Sequence, residues 1–189
     1  VEPDMSEELG ELSRIEGEVR ACRKCPLWKD RLNAVPGEGS PDAKVLVVGE
    51  APGRNEDLEG RPFVGAAGKN LEALLAEAGL SRADVFITNV VKCRPPMNRR
   101  PSRMEAETCH QYLRRQVKSI APRLILLLGD TALKQFLPDE SLARVHGRRV
   151  VKGGESYFAT YHPASVIYNP SLRPTLLRDF QKLAELLAD

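Results

Sequence analysis

The sequence predicts a three-layer α/β/α fold with a central, mostly parallel, four-stranded sheet. Short runs of valine, isoleucine and leucine alternate along the chain with longer segments of helical periodicity. Strands that are separated by helices pair in parallel, because each helix supplies the crossover between them. The chain has 189 residues and no internal repeat, so we expect one domain over 1–189.

The elements can be assigned in order from periodicity and from helix caps. The first helix, at 6–21, carries Leu9, Leu12, Ile15 and Val19 on one face. Further helices are predicted at 66–79, 102–119, 131–137 and 174–187, and strands at 43–49, 85–88, 124–128, 148–151 and 157–160. The helix at 102–119 has a capping pattern in which Ser102 is the N-cap and Glu105 lies three residues later.

The composition limits the class of protein. Hydrophobic residues make up 42% of the chain and charged residues 29%, as in globular proteins. The net charge is only +2, so contact with nucleic acid would need a local basic face, for which 92–103 and 144–152 are candidates. No apolar run is long enough to cross a membrane and no signal-peptide pattern is present, so we expect a cytoplasmic, prokaryotic protein. Sparse Asn and Gln, with Arg in excess over Lys, hint at a thermophile.

The cysteines form an irregular metal-binding pattern. Cys22 and Cys25 have a chelating spacing, and Cys93 and Cys109 are the only other cysteines. Four thiols without a secretory signal favour a metal site over disulfides. Zinc ribbons usually have two Cys-x-x-Cys pairs, whereas 15 residues separate the second pair here. The spacing favours an iron–sulfur cluster, with zinc and free thiols as alternatives.

The segment 45–68 has the pattern of a ligand-binding loop. A buried strand breaks at Gly49, and a loop rich in acids and glycines leads through Phe63 into a helix. Loops after the carboxyl ends of strands are where α/β folds bind ligands.

This segment resembles the first motif of the family 4 uracil-DNA glycosylases, the thermostable iron–sulfur members of that superfamily. The segments 88–96, 126–133 and 161–165 fit the same family in the same order. The resemblance implies a base-excision repair enzyme that flips deoxyuridine out of DNA, hydrolyses its N-glycosidic bond with water and leaves an abasic site. It also implies a structural [4Fe-4S] cluster on the four cysteines, which would tie the end of the first helix to the region 93–109.

The resemblance assigns roles at the site. Glu50 would orient the water, and His162 would donate a hydrogen bond to O2 of the departing base, for which a neutral imidazole is sufficient. Phe63 would stack on uracil, and Asn89 would bind its N3–H and O4 edge. Glu56 would exclude the methyl group of thymine, with Asp57 as a brace for the loop. Gly49 and Ala51 complete the predicted substrate-binding set.

DNA contacts are predicted at the rim of the site. Contacts with the DNA backbone are assigned to Ser40, Arg99, Arg100 and Arg148. The loop 164–168 resembles a wedge that fills the gap left by the flipped nucleotide, with Val166, Ile167 and Tyr168 as candidates. Side chains this apolar could equally pack internally.

A related subgroup, the uracil-DNA-glycosylase X proteins, forms a covalent adduct through a histidine between the positions of Cys93 and Cys109. The segment 97–101 has no histidine, and Ala51 stands where that subgroup has glutamine. We therefore expect turnover, and no lyase step, since no lysine matches a catalytic position.

Two other classes of function remain as alternatives. One is a non-catalytic, metal-stabilised DNA-binding module, and the other is an electron-transfer iron–sulfur protein. The joint presence of Glu50, Phe63, Asn89 and His162 favours the glycosylase, because neither alternative needs that set. The expected partner is uracil-containing DNA, single- or double-stranded, bound by a monomer. A sliding-clamp contact has no signature in the sequence.

Overall fold

The structure is a computed structural model that describes the backbone of residues 5–189 and the side chains from residue 10 onward. The eight α-helices of this part are α1 Met5–Arg20, α2 Arg54–Glu59, α3 Ala66–Glu77, α4 Arg103–Ile120, α5 Asp130–Phe136, α6 Leu142–Val145, α7 Ser165–Tyr168 and α8 Arg173–Ala188. The six strands are β1 Glu38–Gly39, β2 Val45–Gly49, β3 Phe86–Asn89, β4 Leu124–Leu128, β5 Arg149–Lys152 and β6 Glu155–Thr160. Short 3₁₀ turns lie at Pro26–Lys29, Arg82–Asp84, Pro96–Asn98 and Pro170–Leu172.

The strands form one sheet in the order β1-β3-β2-β4-β6-β5. The four central strands are mutually parallel, and the edge strands β1 and β5 pair antiparallel with their neighbours. The α/β class and the mostly parallel sheet are confirmed, but the predicted number of four strands is wrong. The sheet has two further strands at its edges. One is β1, which is only two residues long and was not predicted, and the other is β5, which was predicted at 148–151 and pairs with β6 as a hairpin.

The sheet is covered on both faces, as a parallel sheet requires. Successive residues of β2 point in opposite directions: Leu46 and Val48 pack in the core beside α1 and α4, and Val45 and Val47 pack in the core beside α3 and α8. The predicted face of α1 is confirmed for Ile15 and Val19, which are buried, while the Leu9 side chain lies outside the described residues.

The capping prediction for α4 is confirmed. Ser102 Oγ accepts from the Glu105 backbone N–H at 3.2 Å, and Glu105 Oε1 accepts from the Ser102 N–H at 2.8 Å. The Arg99 guanidinium donates to both carboxylate oxygens of Glu105, at 2.8 and 2.9 Å. The Arg99 bond lowers the pKa of the nearly buried Glu105 to about 2. The loop before α4 is therefore held firmly against the helix.

Three short helices, α2, α6 and α7, were not predicted. The only buried side chain of α2 is Asp57, so this helix has no apolar periodicity.

In the described part of the chain, no helix combines the length and apolar character needed to span a bilayer.

Candidate active site

The carboxyl ends of the four parallel strands meet at one edge of the sheet, where a cleft opens. It is lined by residues that follow β2, β4 and β6, by the first turns of α2 and α3, and by residues 95 and 98–100. The polar side chains along it include Glu50, Glu56, Arg100, Asp130 and His162. The sheet topology thus brings together residues that are more than 100 positions apart.

Gly49 makes room for the centre of the site. It ends β2 and pairs with Asn89 of the parallel strand β3. A Cβ atom at position 49 would lie 2.5 Å from Asn89 Oδ1 and 2.6 Å from Phe63 Cζ. Only glycine lets both side chains pack against the end of this strand.

Phe63 is held in a strained conformation. Its φ of 51° lies in the left-handed region that side chains other than glycine rarely adopt. A Cβ atom at Gly68 would lie 1.9 Å from the Phe63 carbonyl oxygen, and Arg82 Nη1 donates to that oxygen at 2.7 Å. The buried ring stacks on His162 with 5.5 Å between centroids and 22° between planes. Strain of this kind is typical of functional sites.

Asn89 has a buried acceptor without a partner. The residue is 1% exposed, and its Oδ1 makes no hydrogen bond within the described part of the chain. Its backbone oxygen accepts from the buried Lys92 Nζ at 2.7 Å, which fixes the strand end. Burial of an unpaired amide oxygen costs about 1–3 kcal/mol, so the group is expected to meet a ligand donor.

His162 is a neutral hydrogen-bond donor. Its Nδ1 accepts from the Ala164 backbone N–H at 3.0 Å, which assigns the proton to Nε2. Burial lowers the pKa of His162 to about 4, against the smaller opposite effect of the Glu56 carboxylate. Near neutral pH the ring therefore presents an N–H without a positive charge.

Glu50 is oriented by neighbours that the sequence did not suggest. Thr131 Oγ1 donates to Glu50 Oε2, and Arg100 Nε lies 3.8 Å from the same oxygen. Arg100 also donates to Thr131 Oγ1 at 2.8 Å and to Asp130 Oδ2 at 2.7 Å. Ala51 follows Glu50 and packs, partly buried, against the core on the α1 and α4 side.

Glu56 braces the loop that carries Phe63. Its Oε1 accepts from the Gly53 N–H at 3.0 Å, and its Oε2 accepts from the N–H groups of Val64 and Gly65, both at 2.9 Å. The buried Asp57 makes a similar brace elsewhere, since its Oδ1 accepts from the N–H groups of residues 32 and 33. Bracing was predicted for Asp57 alone, whereas both carboxylates have this role.

Residues 36–188 match the family model of the Uracil DNA glycosylase superfamily. The chain belongs to this superfamily. A Type-4 uracil-DNA glycosylase of Saccharolobus solfataricus is 49% identical over 95% of this chain and 88% of its own length. Proteins of the same name from Sulfurisphaera tokodaii and Archaeoglobus fulgidus are 50% and 48% identical, over 94% and 93% of this chain and 86% and 92% of their own lengths. The resemblance to the family 4 glycosylases is confirmed.

At the rim of this glycosylase fold, the predicted wedge residues differ in exposure. Ile167 is 51% exposed and Tyr168 88% exposed, whereas Val166 is buried in the core beside α8. The wedge loop is the short helix α7, and its first turn packs Val166 inward. Val166 therefore anchors α7 and does not present a contact surface.

The residues that were predicted to contact the DNA backbone do not all lie at the site. Arg99 and Arg100 line the cleft, although both already have carboxylate partners. Arg148 is exposed and precedes β5 at the carboxyl edge of the sheet. Ser40 N–H donates to the Val85 oxygen, so Ser40 lies beside the amino-terminal end of β3, roughly 13 Å along the strand from its site end at Asn89. The structure does not bring Ser40 to the cleft.

The four cysteines line one pocket on the α4 side of the sheet. Arg31 Nη1 donates to Cys93 Sγ at 3.1 Å and to the Cys22 oxygen at 2.8 Å. Burial raises the pKa of Cys109 to about 11, and burial also raises the pKa of Cys25 and of Cys93. Such thiols stay protonated unless a cationic metal group displaces the proton.

The side chains of the pocket are chemically suited to the iron–sulfur group that the resemblance implies. Among residues 10–189, no group of three or more His, Cys, Asp or Glu side chains converges closely enough to hold one metal ion. An iron–sulfur cluster would instead be held by all four cysteine thiolates together. The donor set, four thiols with an arginine donor to one sulfur, suits that arrangement.

We predict that Gly49→Ala lowers the free energy of unfolding by about 1–3 kcal/mol, because the added methyl overlaps Phe63 and Asn89. Gly17→Ala is the matched control. No atom lies within 4 Å of a Cβ there, and alanine favours the helix α1 by up to about 1 kcal/mol. Urea unfolding of both variants measures the difference. Equal effects of the two substitutions would contradict the packing argument.

We also predict that His162 makes the protein less stable as the pH falls from about 6.5 to 4. In the unfolded chain the imidazole takes up a proton near its ordinary pKa of about 6.5. In the folded chain its pKa is about 4, so it takes up the proton only at lower pH. The unfolded state binds more protons in this window, which costs folding at most about 1.4 kcal/mol per pH unit. Urea unfolding at pH 4.5 and pH 7 should show a smaller difference for His162→Gln than for the wild type. The same difference in both proteins would count against a His162 that is kept neutral by the fold.

Proposed function

We propose that this protein is a uracil-DNA glycosylase of base-excision repair, which hydrolyses the N-glycosidic bond of deoxyuridine in DNA. The products are free uracil and an abasic site in an intact strand. The observation that carries the proposal is the unpartnered Oδ1 of Asn89, buried beside the stacked rings of Phe63 and His162. The names of the relatives, Type-4 uracil-DNA glycosylases, support it.

The base-reading group is the Asn89 amide, and Phe63 is the stacking surface. Uracil presents a donor at N3 and an acceptor at O4, which match the oxygen and the nitrogen of one amide. Cytosine presents an acceptor at N3 and donors at N4, so both contacts would become repulsive. Because Oδ1 is buried, water cannot relieve that mismatch, and the penalty against cytosine is large.

Thymine is excluded by the rigidity of the loop that Glu56 braces. Three backbone N–H groups hold its carboxylate, so this side chain cannot turn aside to admit a methyl group at C5. A fixed polar wall of this kind rejects the larger base by steric clash and by desolvation.

Departure of the base is assisted by His162. As the glycosidic bond breaks, negative charge develops on the uracil, and the Nε2–H group donates to O2. The bond from Ala164 to Nδ1 fixes the ring beforehand, so no reorientation is needed when the charge develops. A neutral donor also avoids the cost of a buried cation.

Attack is assigned to a water oriented by Glu50. The Thr131 hydroxyl fixes one carboxylate oxygen, and the negative charge favours the oxocarbenium-like sugar. The water oxygen bonds to C1′ and gives up one proton to the Glu50 carboxylate, while the pair of electrons in the glycosidic bond leaves with uracil as its anion. No lysine is among the described residues that line the cleft, which supports a water nucleophile without a strand-cleaving step.

The DNA is flipped and held at the rim of the cleft. Ile167 and Tyr168 are the exposed residues of α7 that would fill the gap in the stack. Arg99, Arg100 and Arg148 would contact phosphates. A monomer is sufficient for this work.

The cysteine pocket is assigned to a [4Fe-4S] cluster held by Cys22, Cys25, Cys93 and Cys109. When bound, the group supplies four metal–thiolate links that cross-connect the segment after α1 with the region 93–109 inside a single domain, 1–189. Arg31 would donate a hydrogen bond to the Cys93 sulfur and stabilise its thiolate form.

The activity is tested with a duplex that contains one uracil, followed by alkali, beside matched thymine and cytosine duplexes. We expect cleavage at uracil alone, and none before alkali. His162→Ala should lower kcat by about 10²–10³-fold, as expected for loss of one donor to a developing anion. His146→Asn is the matched control, since His146 lies outside the cleft and asparagine can keep a bond to Asp179.

No uracil release by protein with its metal site intact would refute the glycosylase and favour a DNA-binding module. Strand breaks before alkali would refute the water nucleophile, but they would leave the removal of uracil standing.

For the metal site we expect four irons and four acid-labile sulfides per chain after anaerobic purification. Removal of the iron with a chelator should lower Tm by several degrees, since the two segments lose their cross-link. Cys93→Ser should lower both iron content and Tm. One zinc per chain, or no metal, would contradict the cluster.

A further inference from the structure

The segment between Cys93 and α4 contains two consecutive residues in a disfavoured conformation. Met97 and Asn98 have φ values of 55° and 56°, in the left-handed region. Asparagine tolerates this region, whereas each such residue with a longer side chain costs about 1–2 kcal/mol. Strain of this kind persists only where the surrounding structure imposes it.

The loop is held at both ends. Cys93 is buried in the cysteine pocket, and the next proline, Pro95, is also buried. Arg94 Nε donates to Asn98 Oδ1 at 2.7 Å across the turn. After the turn, Arg99 is joined to Glu105 of α4 by two bonds. The conformation of Met97 is therefore imposed by its anchors.

Met97 is the tip of this loop and is 93% exposed. Its neighbours Pro95 and Asn98 line the cleft where the chain enters α4, which packs on one face of the sheet. Tyr168, which is 88% exposed, lines the cleft from α7, which packs through Val166 on the opposite face. These two are the most exposed large apolar side chains in the part of the chain with described side chains. The cleft thus has an apolar projection on each lip.

The charges beside Met97 indicate what it meets. Arg99 and Arg100 follow it directly and have side chains that are 46% and 57% exposed. An apolar tip flanked by guanidinium groups suits a base step between two phosphates, and suits a lipid or an apolar protein surface less well. Methionine is unbranched and adaptable, so it can pack against any base pair.

We propose that Met97 is a second wedge, which enters the base stack of double-stranded DNA on the lip of the cleft opposite Ile167 and Tyr168. The inference rests on the proposed function. Two wedges hold a duplex open around the flipped nucleotide, whereas a single strand has no paired stack to hold apart. Met97 therefore favours double-stranded over single-stranded substrate.

Met97→Asn tests this inference, because asparagine accepts the left-handed backbone and removes the apolar side chain. We expect an unchanged Tm, an unchanged rate of uracil release from single strands, and a loss in kcat/KM on duplexes on the order of tenfold. Met97→Leu should restore most of the duplex activity. Met104→Gln is the matched control, since Met104 is 52% exposed on α4 and should leave both rates unchanged.

Unchanged rates on both substrates in Met97→Asn would overturn the inference. An equal fall on duplexes and single strands would also overturn it. Duplex activity that Met97→Leu fails to restore would also overturn it. If the wild type releases uracil from neither substrate, the proposed function itself fails and this inference fails with it.

Discussion

The close approach of Phe63 and Asn89 over Gly49 is the contact on which the site depends. A strand that ended in any other residue would push the two side chains apart, because a Cβ atom there overlaps both. Gly68 has the same effect from the other side, where the Phe63 carbonyl lies against the start of α3. The Phe63 ring and the Asn89 amide are therefore placed by backbone that lacks side chains: Gly49 pairs with Asn89 of β3, and Gly68 leaves room for the Phe63 carbonyl.

This packing also sets the electrostatics of the cleft. Stacking against Phe63 desolvates His162, which keeps the imidazole neutral, and the Ala164 N–H group determines which nitrogen carries the proton. Glu56 meets the backbone N–H groups of the loop, so its charge is satisfied within the protein. The orientation of the His162 donor is thus fixed during folding, which is the preorganisation that the proposed departure of the base requires.

The sequence predicted the parts of the molecule that rest on local patterns. The run Leu124–Leu128 is buried throughout and was assigned without error, and the parallel topology then required the catalytic candidates to share one edge. The helix around Asp57 was missed because it buries a carboxylate and no apolar stripe. Val166 is buried because it packs in the core beside α8, and Thr131 donates to Glu50 although the two residues are 81 positions apart. Both contacts depend on the tertiary structure. No local pattern contains them.

The cysteine pocket and the Asn89 amide are close in the chain and are joined by hydrogen bonds of one buried side chain. Three residues separate Asn89 from Cys93, and the buried Lys92 between them donates to the Asn89 oxygen and to Thr88 Oγ1. Lys92 also donates to Gln116 of α4, the helix that carries the fourth cysteine. A displacement of the pocket would be passed through these bonds to the end of β3. A cluster at this position would need no redox role to matter, because it would fix the strand end that carries the Asn89 amide.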